Sequence, residues 1–362
     1  MDYASYLQVG KLLECQGLES ARDGQTPAHD EMLFIIIHQT YELWFKQILW
    51  ELDKAQAAFA ADYVDEREMG GVIAALERVI SIQKVLNQQI DVLETMTPMD
   101  FLEFRDLLVP ASGFQSAQFR LIETRLGLPR SVRLKYDNKA FDDRLPEDDR
   151  AKVTAAEDAP SLLTQLDHWL ARTPFVAMGD YAFETAYGQA IHDMLDGEAR
   201  IIDAQPFLTD EEKQVQKASL DRSRQMLRSI LDAEQYEAEA KRGGWRMTRN
   251  ALQAALFINL YRDEPALQMP HRLLAALMDI DEGMSQWRYR HALMAQRMIG
   301  RKVGTGGSSG HDYLARSAEQ HRVFGDLFAL ATFMLPRAKL PPLPGDVARA
   351  MGYRYQTELE GV

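Results

Sequence analysis

Two histidines lie inside long apolar segments of this 362-residue chain, where a polar ring is available for chemistry. His38 is in the middle of DEMLFIIIHQTYELWFKQILWELD, with Phe34 and Glu42 four residues to either side on one helical face. His291 lies in the second half of HRLLAALMDIDEGMSQWRYRHALMAQRMIG, one turn after Trp287. Each histidine is either a core residue hydrogen-bonded to a neighbouring group or a polar side chain aimed into a dry pocket.

An arginine shares a helical face with apolar residues in the segment PMDFLEFRDLLV. Phe101, Arg105 and Leu108 stand at i, i+4 and i+7 of this predicted helix. Two interpretations are open. The guanidinium either reaches solvent and pairs with an acid, or it clamps a ligand carboxylate inside an apolar pocket.

A glycine-rich segment, GTGGSSG at 304–310, follows soon after His291. Alone it is typical of a flexible linker, and it is not a P-loop because no GK[ST] follows at the required spacing. Placed here, it can also close over a ligand. A single histidine is enough to ligate haem iron, but spacing alone does not decide for that chemistry.

Helical periodicity runs through most of the chain, and no βαβ alternation is present, so we predict an all-α fold. Asp30 is a natural N-cap for the helix that carries His38. The predicted helices span 2–16, 30–53, about 69–97, 98–109, 114–126, several segments of 161–262, 270–300 and 312 to about 334. Residues 129–160 are expected to be an irregular surface excursion, and much of 129–265 to be a polar helical lobe.

Composition excludes several classes of protein. A formal net charge of -13 argues against a nucleic-acid partner, and no apolar run approaches the ~20 residues that span a bilayer. The chain has one cysteine, Cys15, so an intrachain disulfide is excluded, and a secretory signal is not visible at the N-terminus. We therefore expect a cytoplasmic protein that binds neither nucleic acid nor membrane.

Several segments of the chain resemble signature blocks of the tryptophan 2,3-dioxygenases. They are YASYLQVGKLL, the His38 segment, LETMTPMDFLEFRDLLVPASGFQSAQFRLIE, WRYRHALMAQRMIG and GTGGSSGHDYL. Their order and approximate spacing match, and the resemblance covers nearly the whole chain. It includes the long middle region of the larger, eukaryote-like members.

The resemblance implies a haem-dependent enzyme that opens the indole C2–C3 bond of L-tryptophan with O2 to give N-formyl-L-kynurenine. It implies one haem b per subunit, with iron ligated by His291 and with Trp287 beside it. It makes His38 the catalytic histidine near the indole N–H, as a base or only as a hydrogen-bond partner. It makes Arg105 the clamp for the substrate carboxylate and Thr305 a contact to its amino and carboxylate end.

Other residues match by position the remaining parts of the family's site. Phe34, Phe101 and Leu108 match the lining of the indole pocket, and Phe101 stands where some members carry tyrosine. Ser112 matches a small polar residue close to the haem. The N-terminal helix matches a segment that completes a neighbour's site, and its residues in that role are Tyr3, Tyr6 and Leu7.

The family resemblance also implies a single domain over 1–362, with the lobe at about 129–265 inserted in a haem-binding core. It further implies that the subunits form an intertwined homotetramer, a dimer of dimers. Without the resemblance, the apolar residues of the N-terminal helix pack either on their own core or on another subunit.

Three other functions remain as alternatives. A haem enzyme of the same superfamily would insert one oxygen atom into a related indole. A haem sensor or carrier would need no carboxylate clamp, so Arg105 and Thr305 count against it. A purely structural helical protein would bind no haem.

Overall fold

The computed structural model describes residues 1–61, 64–134, 140–300 and 310–352, and it confirms the predicted all-α fold. The α-helices are, in chain order, α1 (Tyr3–Leu7), α2 (Val9–Leu13), α3 (Glu31–Phe59), α4 (Glu66–Leu93), α5 (Pro98–Phe104), α6 (Ala117–Leu126), α7 (Glu147–Asp158), α8 (Leu162–Leu170), α9 (Phe183–Asp203), α10 (Asp210–Arg228), α11 (Ala233–Lys241), α12 (Arg249–Leu260), α13 (Pro265–Ile299), α14 (Gly310–Gln320), α15 (Gly325–Ala329) and α16 (Gly345–Met351). Short 3-10 helices span Glu19–Gly24, Arg105–Leu108, Gly113–Gln115, Arg130–Val132, Pro174–Val176, Leu330–Phe333 and Arg337–Lys339. A two-stranded antiparallel hairpin joins β1 (Ala177–Met178) to β2 (Tyr181–Ala182).

The chain divides into two compact units. The first comprises residues 1–58, 74–162 and 279–323, and the second comprises 59–73, 163–278 and 324–362. The sequence-based expectation of one domain with a lobe at about 129–265 stays a prediction.

Helices α3, α4 and α13 meet in the first unit through polar contacts that fix their register. The Tyr41 hydroxyl on α3 donates to the Leu86 carbonyl on α4 at 2.8 Å. The Gln83 amide on α4 donates to the Ile280 carbonyl on α13 at 3.0 Å. Each bond satisfies a group that water cannot reach, so the helices are held at defined positions along one another.

Helix α3 is longer than predicted and less fully buried. It ends at Phe59, beyond the expected 30–53. Apolar coverage around its circumference predicted burial of most of it, but only one face is buried in the single chain. Buried side chains of that face include Ile37, Phe45, Ile48 and Leu52, whereas Met32, Ile36, Leu43 and Trp50 are exposed.

The helix predicted over 98–109 changes type in its middle. Thr97 caps α5 through a capping box with Asp100, as the Thr-Pro pair predicted. The α-helix ends at Phe104, and residues from Arg105 to Leu108 form a 3-10 turn. The prediction of one continuous helix over 98–109 was therefore wrong, but Arg105 and Leu108 still share a face, because side chains at i and i+3 eclipse in a 3-10 turn.

The expectation of an irregular surface excursion over 129–160 was also wrong. The segment contains the 12-residue helix α7, which packs on α6. Phe141, Leu145 and Val153 are buried here against Ala117 and Leu121 of α6. Charged residues hid this apolar cluster because its members are widely spaced along the chain.

In the second unit, α12 is buried along most of its length, as the apolar residues between Ala251 and Tyr261 predict. The buried Tyr187 hydroxyl on α9 donates to the Phe333 carbonyl at 2.6 Å, and the Asp326 carboxylate accepts from the backbone N–H of Arg246 and Met247 at 2.8 and 2.7 Å. Thr209 and Glu212 form a capping box at the start of α10, as their spacing in the sequence predicts.

Other predicted boundaries shift by a few residues. The residues 2–16 form α1 and α2 and not one helix, and α13 begins at Pro265 and continues through Pro270. The helix expected from 312 to about 334 breaks after Gln320. Among the described residues, no helix is long and apolar enough to cross a membrane.

Candidate functional site

A cavity of about 280 Å³ lies within the first unit, and both histidines singled out from the sequence line it. His38 comes from α3 and His291 from α13, two helices more than two hundred residues apart in sequence. Most of the remaining lining is apolar and aromatic, including Phe45, Phe119 and Trp287. A smaller cavity of about 160 Å³ is also lined by both histidines.

The hydrogen bond of His38 identifies its tautomer. Its Nδ1 lies 2.7 Å from the Phe34 carbonyl oxygen, one turn earlier on α3. Because a carbonyl can only accept, Nδ1 must carry the proton, which leaves Nε2 of the neutral ring as an acceptor. Desolvation by the surrounding apolar side chains lowers the pKa of His38 and favours the neutral form, although the Phe34 carbonyl and Glu42 act in the opposite direction and the residue keeps an exposed side in the single chain.

His291 is held as a neutral imidazole. Burial lowers its pKa to about 4, and the nearby His38 adds to the effect. Trp287 stacks on it with ring centroids 5.1 Å apart and an interplanar angle of 21°. Its enclosed Nδ1 has no hydrogen-bond partner among the described residues. A neutral ring held by stacking and lining a cavity is suited to donate a lone pair to a metal.

Aromatic rings form the wall beside His38. Phe34 lies 4.1 Å from the His38 ring and 5.7 Å from Phe101, and Phe104 packs edge-on at 5.6 Å, all measured between centroids. Phe34 and Phe101 line the smaller cavity together with both histidines. This wall can hold a flat aromatic ring beside Nε2 of His38.

Buried polar and charged side chains that no sequence motif indicated form one part of the larger cavity. Arg120, Glu123, Arg288 and His321 all line it and are all buried. Burial alone would raise the pKa of Glu123, but the adjacent arginines and His321 outweigh it and hold the pKa well below its usual range. A buried Arg-Glu pair at i, i+3 on α6 was the only sequence signal, and it is common on solvated helices.

The structure brings some of the predicted site residues together and leaves others apart. Phe34, Phe101, Ser112 and Trp287 line the cavities with the two histidines. Arg105 and Leu108 are not among the lining residues. The Arg105 side chain is only 15% exposed, and its Nη1 lies 3.6 Å from the Asp106 carboxylate.

Two further predictions concern Thr305 and the N-terminal helix α1. Thr305 lies outside the described residues. Tyr3, Tyr6 and Leu7 are exposed on α1, which buries no residue. Packing of these side chains on their own core, one of the two expectations, is therefore wrong for the single chain.

The site therefore combines an all-helical fold with two neutral histidines on a largely apolar cavity, an arrangement that can accept a flat aromatic group beside an imidazole. The family model of tryptophan 2,3-dioxygenase matches residues 1–334. The chain belongs to the tryptophan 2,3-dioxygenase family.

Relatives match over almost the full length. The chain is 48% identical to the tryptophan 2,3-dioxygenase of Bdellovibrio bacteriovorus over 353 residues, which is 98% of each chain. It is 44% identical over 354 residues to that of Alteromonas mediterranea, again 98% of each. It is 41% identical over 354 residues to that of Dictyostelium discoideum, covering 98% of this chain and 88% of the relative.

The residues present fit a haem. The group is flat and largely apolar, with carboxylates on one edge, and the cavity offers apolar walls, a neutral imidazole and buried guanidinium groups. The His291 imidazole is neutral and lines this cavity, so it can supply a nitrogen lone pair to the iron.

Proposed function

We propose that this chain is a haem-dependent tryptophan 2,3-dioxygenase, which cleaves the indole C2–C3 bond of L-tryptophan with O2 to give N-formyl-L-kynurenine. This reaction opens tryptophan catabolism by the kynurenine pathway. The observation that carries the proposal is the pair of neutral histidines on one cavity, one of which has an identified acceptor nitrogen. The family membership supports the choice of substrate.

In this proposal His38 orients the substrate ring. Its Nε2 accepts a hydrogen bond from the indole N–H, while Nδ1 stays bonded to the Phe34 carbonyl. The fixed tautomer means that the ring needs no rearrangement when substrate enters. The aromatic wall of Phe34 and Phe101 holds the indole plane and keeps water from it.

His291 would hold the haem, one haem b in each subunit, with Trp287 stacked on the imidazole and Ser112 on the cavity wall. The bound haem supplies the reaction with O2, from which both oxygen atoms enter the product. The chain's contribution is to position the indole and to exclude solvent from it.

The finer assignments are part of the same proposal. Arg105 binds the substrate carboxylate and Thr305 the amino and carboxylate end, on the strength of the family resemblance. Leu108 contributes to the indole pocket on the same ground. Arg105 and Leu108 reach the substrate only if it extends beyond the residues that line the two cavities.

We further propose a cytoplasmic homotetramer, a dimer of dimers in which α1 completes a neighbour's site. Tyr3 and Tyr6 are 77% and 69% exposed in the single chain, and Leu43 and Trp50 on α3 are 52% and 72% exposed. Apolar surface of this kind is typical of a subunit interface. Light scattering of the purified protein measures the mass of the assembly.

The test of the function is an ultraviolet-visible spectrum of the purified, reduced protein with and without L-tryptophan, followed by product mass with labelled O2. We expect a Soret band that responds to tryptophan, and a product that carries two heavy oxygen atoms. One heavy atom would identify the monooxygenase alternative. A Soret band without tryptophan consumption would identify a haem sensor, and colourless protein a structural one.

A further inference from the structure

Glu31, the first residue of α3, carries a carboxylate that is completely buried. Its Oε1 accepts from the backbone N–H of Glu19 at 2.8 Å, and its Oε2 accepts from the backbone N–H of Ser20 at 3.0 Å. These two N–H groups open the 3-10 helix Glu19–Gly24, whose N-cap, Leu18, has no polar side chain to cap it. Glu31 therefore satisfies the donors at the start of this helix, and it does so from another segment of the chain.

Ser20 completes a closed ring of hydrogen bonds with the start of α3. Its hydroxyl donates to Glu31 Oε2 and accepts from the backbone N–H of Ala28 at 2.9 Å. The Ala28 carbonyl in turn accepts from the backbone N–H of Glu31 at 3.3 Å. Ser20 and Ala28 are buried as well, so water does not compete for these bonds. The ring fixes the 3-10 helix Glu19–Gly24 to the first turn of α3.

The fixed segment covers the turn that carries Arg105. The 3-10 helix Glu19–Gly24 packs on the 3-10 turn Arg105–Leu108. The residue before this turn, Phe104, is fully buried and packs against Phe34 of α3 with ring centroids 5.6 Å apart. The Arg105 side chain is largely buried, and it is not among the residues that line the two cavities. Its direction is thus set by the segments that pack around the turn, one of which is the ring-bonded 3-10 helix.

We propose that Glu31 and Ser20 are positioning residues for Arg105. By fixing the 3-10 helix Glu19–Gly24, they hold the turn in the conformation in which the guanidinium is available to the carboxylate of the amino-acid substrate. This assignment rests on the proposed function, in which Arg105 binds that carboxylate. In this role neither Glu31 nor Ser20 touches the substrate. A rigid support matters because a charge-assisted bond depends on distance and angle, and a displacement of about 1 Å is enough to weaken it.

The first experiment measures how strongly the haem-loaded protein prefers L-tryptophan to tryptamine, which lacks the carboxylate. The variants are Glu31→Gln, which puts an amide nitrogen in place of one acceptor oxygen, and Ser20→Ala, which removes the hydroxyl. We expect each to reduce the preference about fivefold, a part of the roughly thirtyfold loss expected when the Arg105 bond is removed. Binding of tryptamine should stay within about twofold of the parent. Ser20→Thr keeps the hydroxyl and should keep the preference.

The second experiment combines Glu31→Gln with Arg105→Ala. Because Glu31 acts through Arg105, its substitution should have no further effect on the preference once the guanidinium is gone. The double variant should therefore prefer tryptophan to the same extent as Arg105→Ala alone. If the double variant instead shows the product of the two single effects, the proposal is overturned, because Glu31 then influences the ligand by another route.

The matched control is Thr209→Ala in the second unit. Thr209 is comparable to Ser20 because its hydroxyl donates to the carboxylate of Glu212 and accepts from a backbone N–H. It caps α10 and is not among the residues that line either cavity. The control should keep the parent's preference. An equal loss in Thr209→Ala and Ser20→Ala would overturn the proposal, because a general loss of stability would then explain both.

Hydrogen–deuterium exchange of the haem-loaded protein without substrate measures the support of the turn directly. Opening of the ring should raise exchange of the backbone N–H groups of the 3-10 turn Arg105–Leu108 in Glu31→Gln and Ser20→Ala, whereas Thr209→Ala should raise it only around α10. Unchanged exchange at the turn would overturn the proposal. If Glu31→Gln does not fold, Ser20→Ala, which leaves the carboxylate in place, serves in the same comparisons.

Failure of the proposed function gives a different result. In that case the haem-loaded parent shows no preference for tryptophan over tryptamine, or Arg105→Ala leaves the preference unchanged. The exchange measurement contains no substrate, so it reports on the link between Glu31 and the turn in either case.

Discussion

The Nδ1 of His38 donates its proton to the backbone carbonyl of Phe34, 2.7 Å away and one turn earlier on α3. This hydrogen bond fixes the proton on Nδ1, and it leaves Nε2 without a proton in the neutral imidazole. The acceptor role of His38 therefore depends on its protonation state.

Between neutral pH and the ordinary histidine pKa of 6.5, protonation of His38 should not change kcat/KM for tryptophan, because burial lowers the pKa of this ring. Below its own pKa the ring gains a proton, Nε2 becomes a donor, and activity falls. A pH profile measures this. In His38→Ala the rate should be lower and this acidic limb absent. The same limb in the variant would assign the titration to another group.

His291→Ala should lose the Soret band or most of its haem occupancy, because it removes the imidazole that α13 presents to the cavity. Absorbance per subunit measures the occupancy. The matched control is His168→Ala, an exposed helical histidine on α8. An unchanged spectrum in His291→Ala would refute the ligand assignment.

The haem-free protein should lose stability as the pH falls from 6.5 towards about 4. These values are the pKa of His291 in the unfolded chain and in the folded chain, respectively. In that range the unfolded state binds the extra proton, so acid favours unfolding. The contribution of His291 is at most on the order of 3 kcal/mol, from about 1.4 kcal/mol per pKa unit. Urea unfolding at pH 7 and pH 5 measures it.

The comparison variant for this titration is His291→Gln, which keeps a polar group of similar size and cannot be protonated. Its free energy of unfolding should change less with pH than that of the parent. Identical pH dependence in both proteins would mean that His291 is not neutral in the folded haem-free state. His38 and His321 contribute to both curves and cancel in the difference.

Arg105→Ala should weaken tryptophan binding by about 2 kcal/mol, roughly thirtyfold, if its guanidinium forms a charge-assisted bond to the carboxylate. Binding of tryptamine, which lacks that group, should not change. Titrations of both ligands measure the difference. Equal losses for both ligands would point to a packing role instead, consistent with a side chain only 15% exposed.

Glu123→Gln should destabilise the protein by about 3–5 kcal/mol, because it leaves three buried guanidiniums without their shared carboxylate. The control is Glu94→Gln, whose carboxylate lies 3.5 Å from the half-exposed Arg290. Solvent screens that pair, so its loss should cost less than about 1 kcal/mol. Denaturant unfolding compares the two, and equal costs would show that the cluster is not electrostatically coupled.

The sequence was sufficient for the helical class and for the two histidines. Apolar residues at helical spacing around His38 and His291 predicted long helices, because burial of one face drives such segments to pack. The resemblance of whole segments to one family then predicted that the pair forms a site, and the structure places both rings on one cavity. The capping boxes at Thr97 and Thr209 were equally readable, since caps depend only on residues within one turn.

Helix type and burial were less predictable. The 3-10 turn at Arg105 and the buried cluster around Phe141 arise from contacts with other segments, which periodicity within one segment does not report. The exposed face of α3, with Leu43 and Trp50, was wrongly expected to be buried for the same reason.

By itself the sequence determined the chemical groups of this protein and the helices that carry them, because local spacing decides which side chains share a face. Only the tertiary structure decided which groups meet in the cavity. Glu123, Arg288 and His321 are far apart along the chain, and each is unremarkable in its own segment. Arg288 and His321 are buried beside the Glu123 carboxylate because α6 packs against α13. This is a long-range contact that no local pattern encodes.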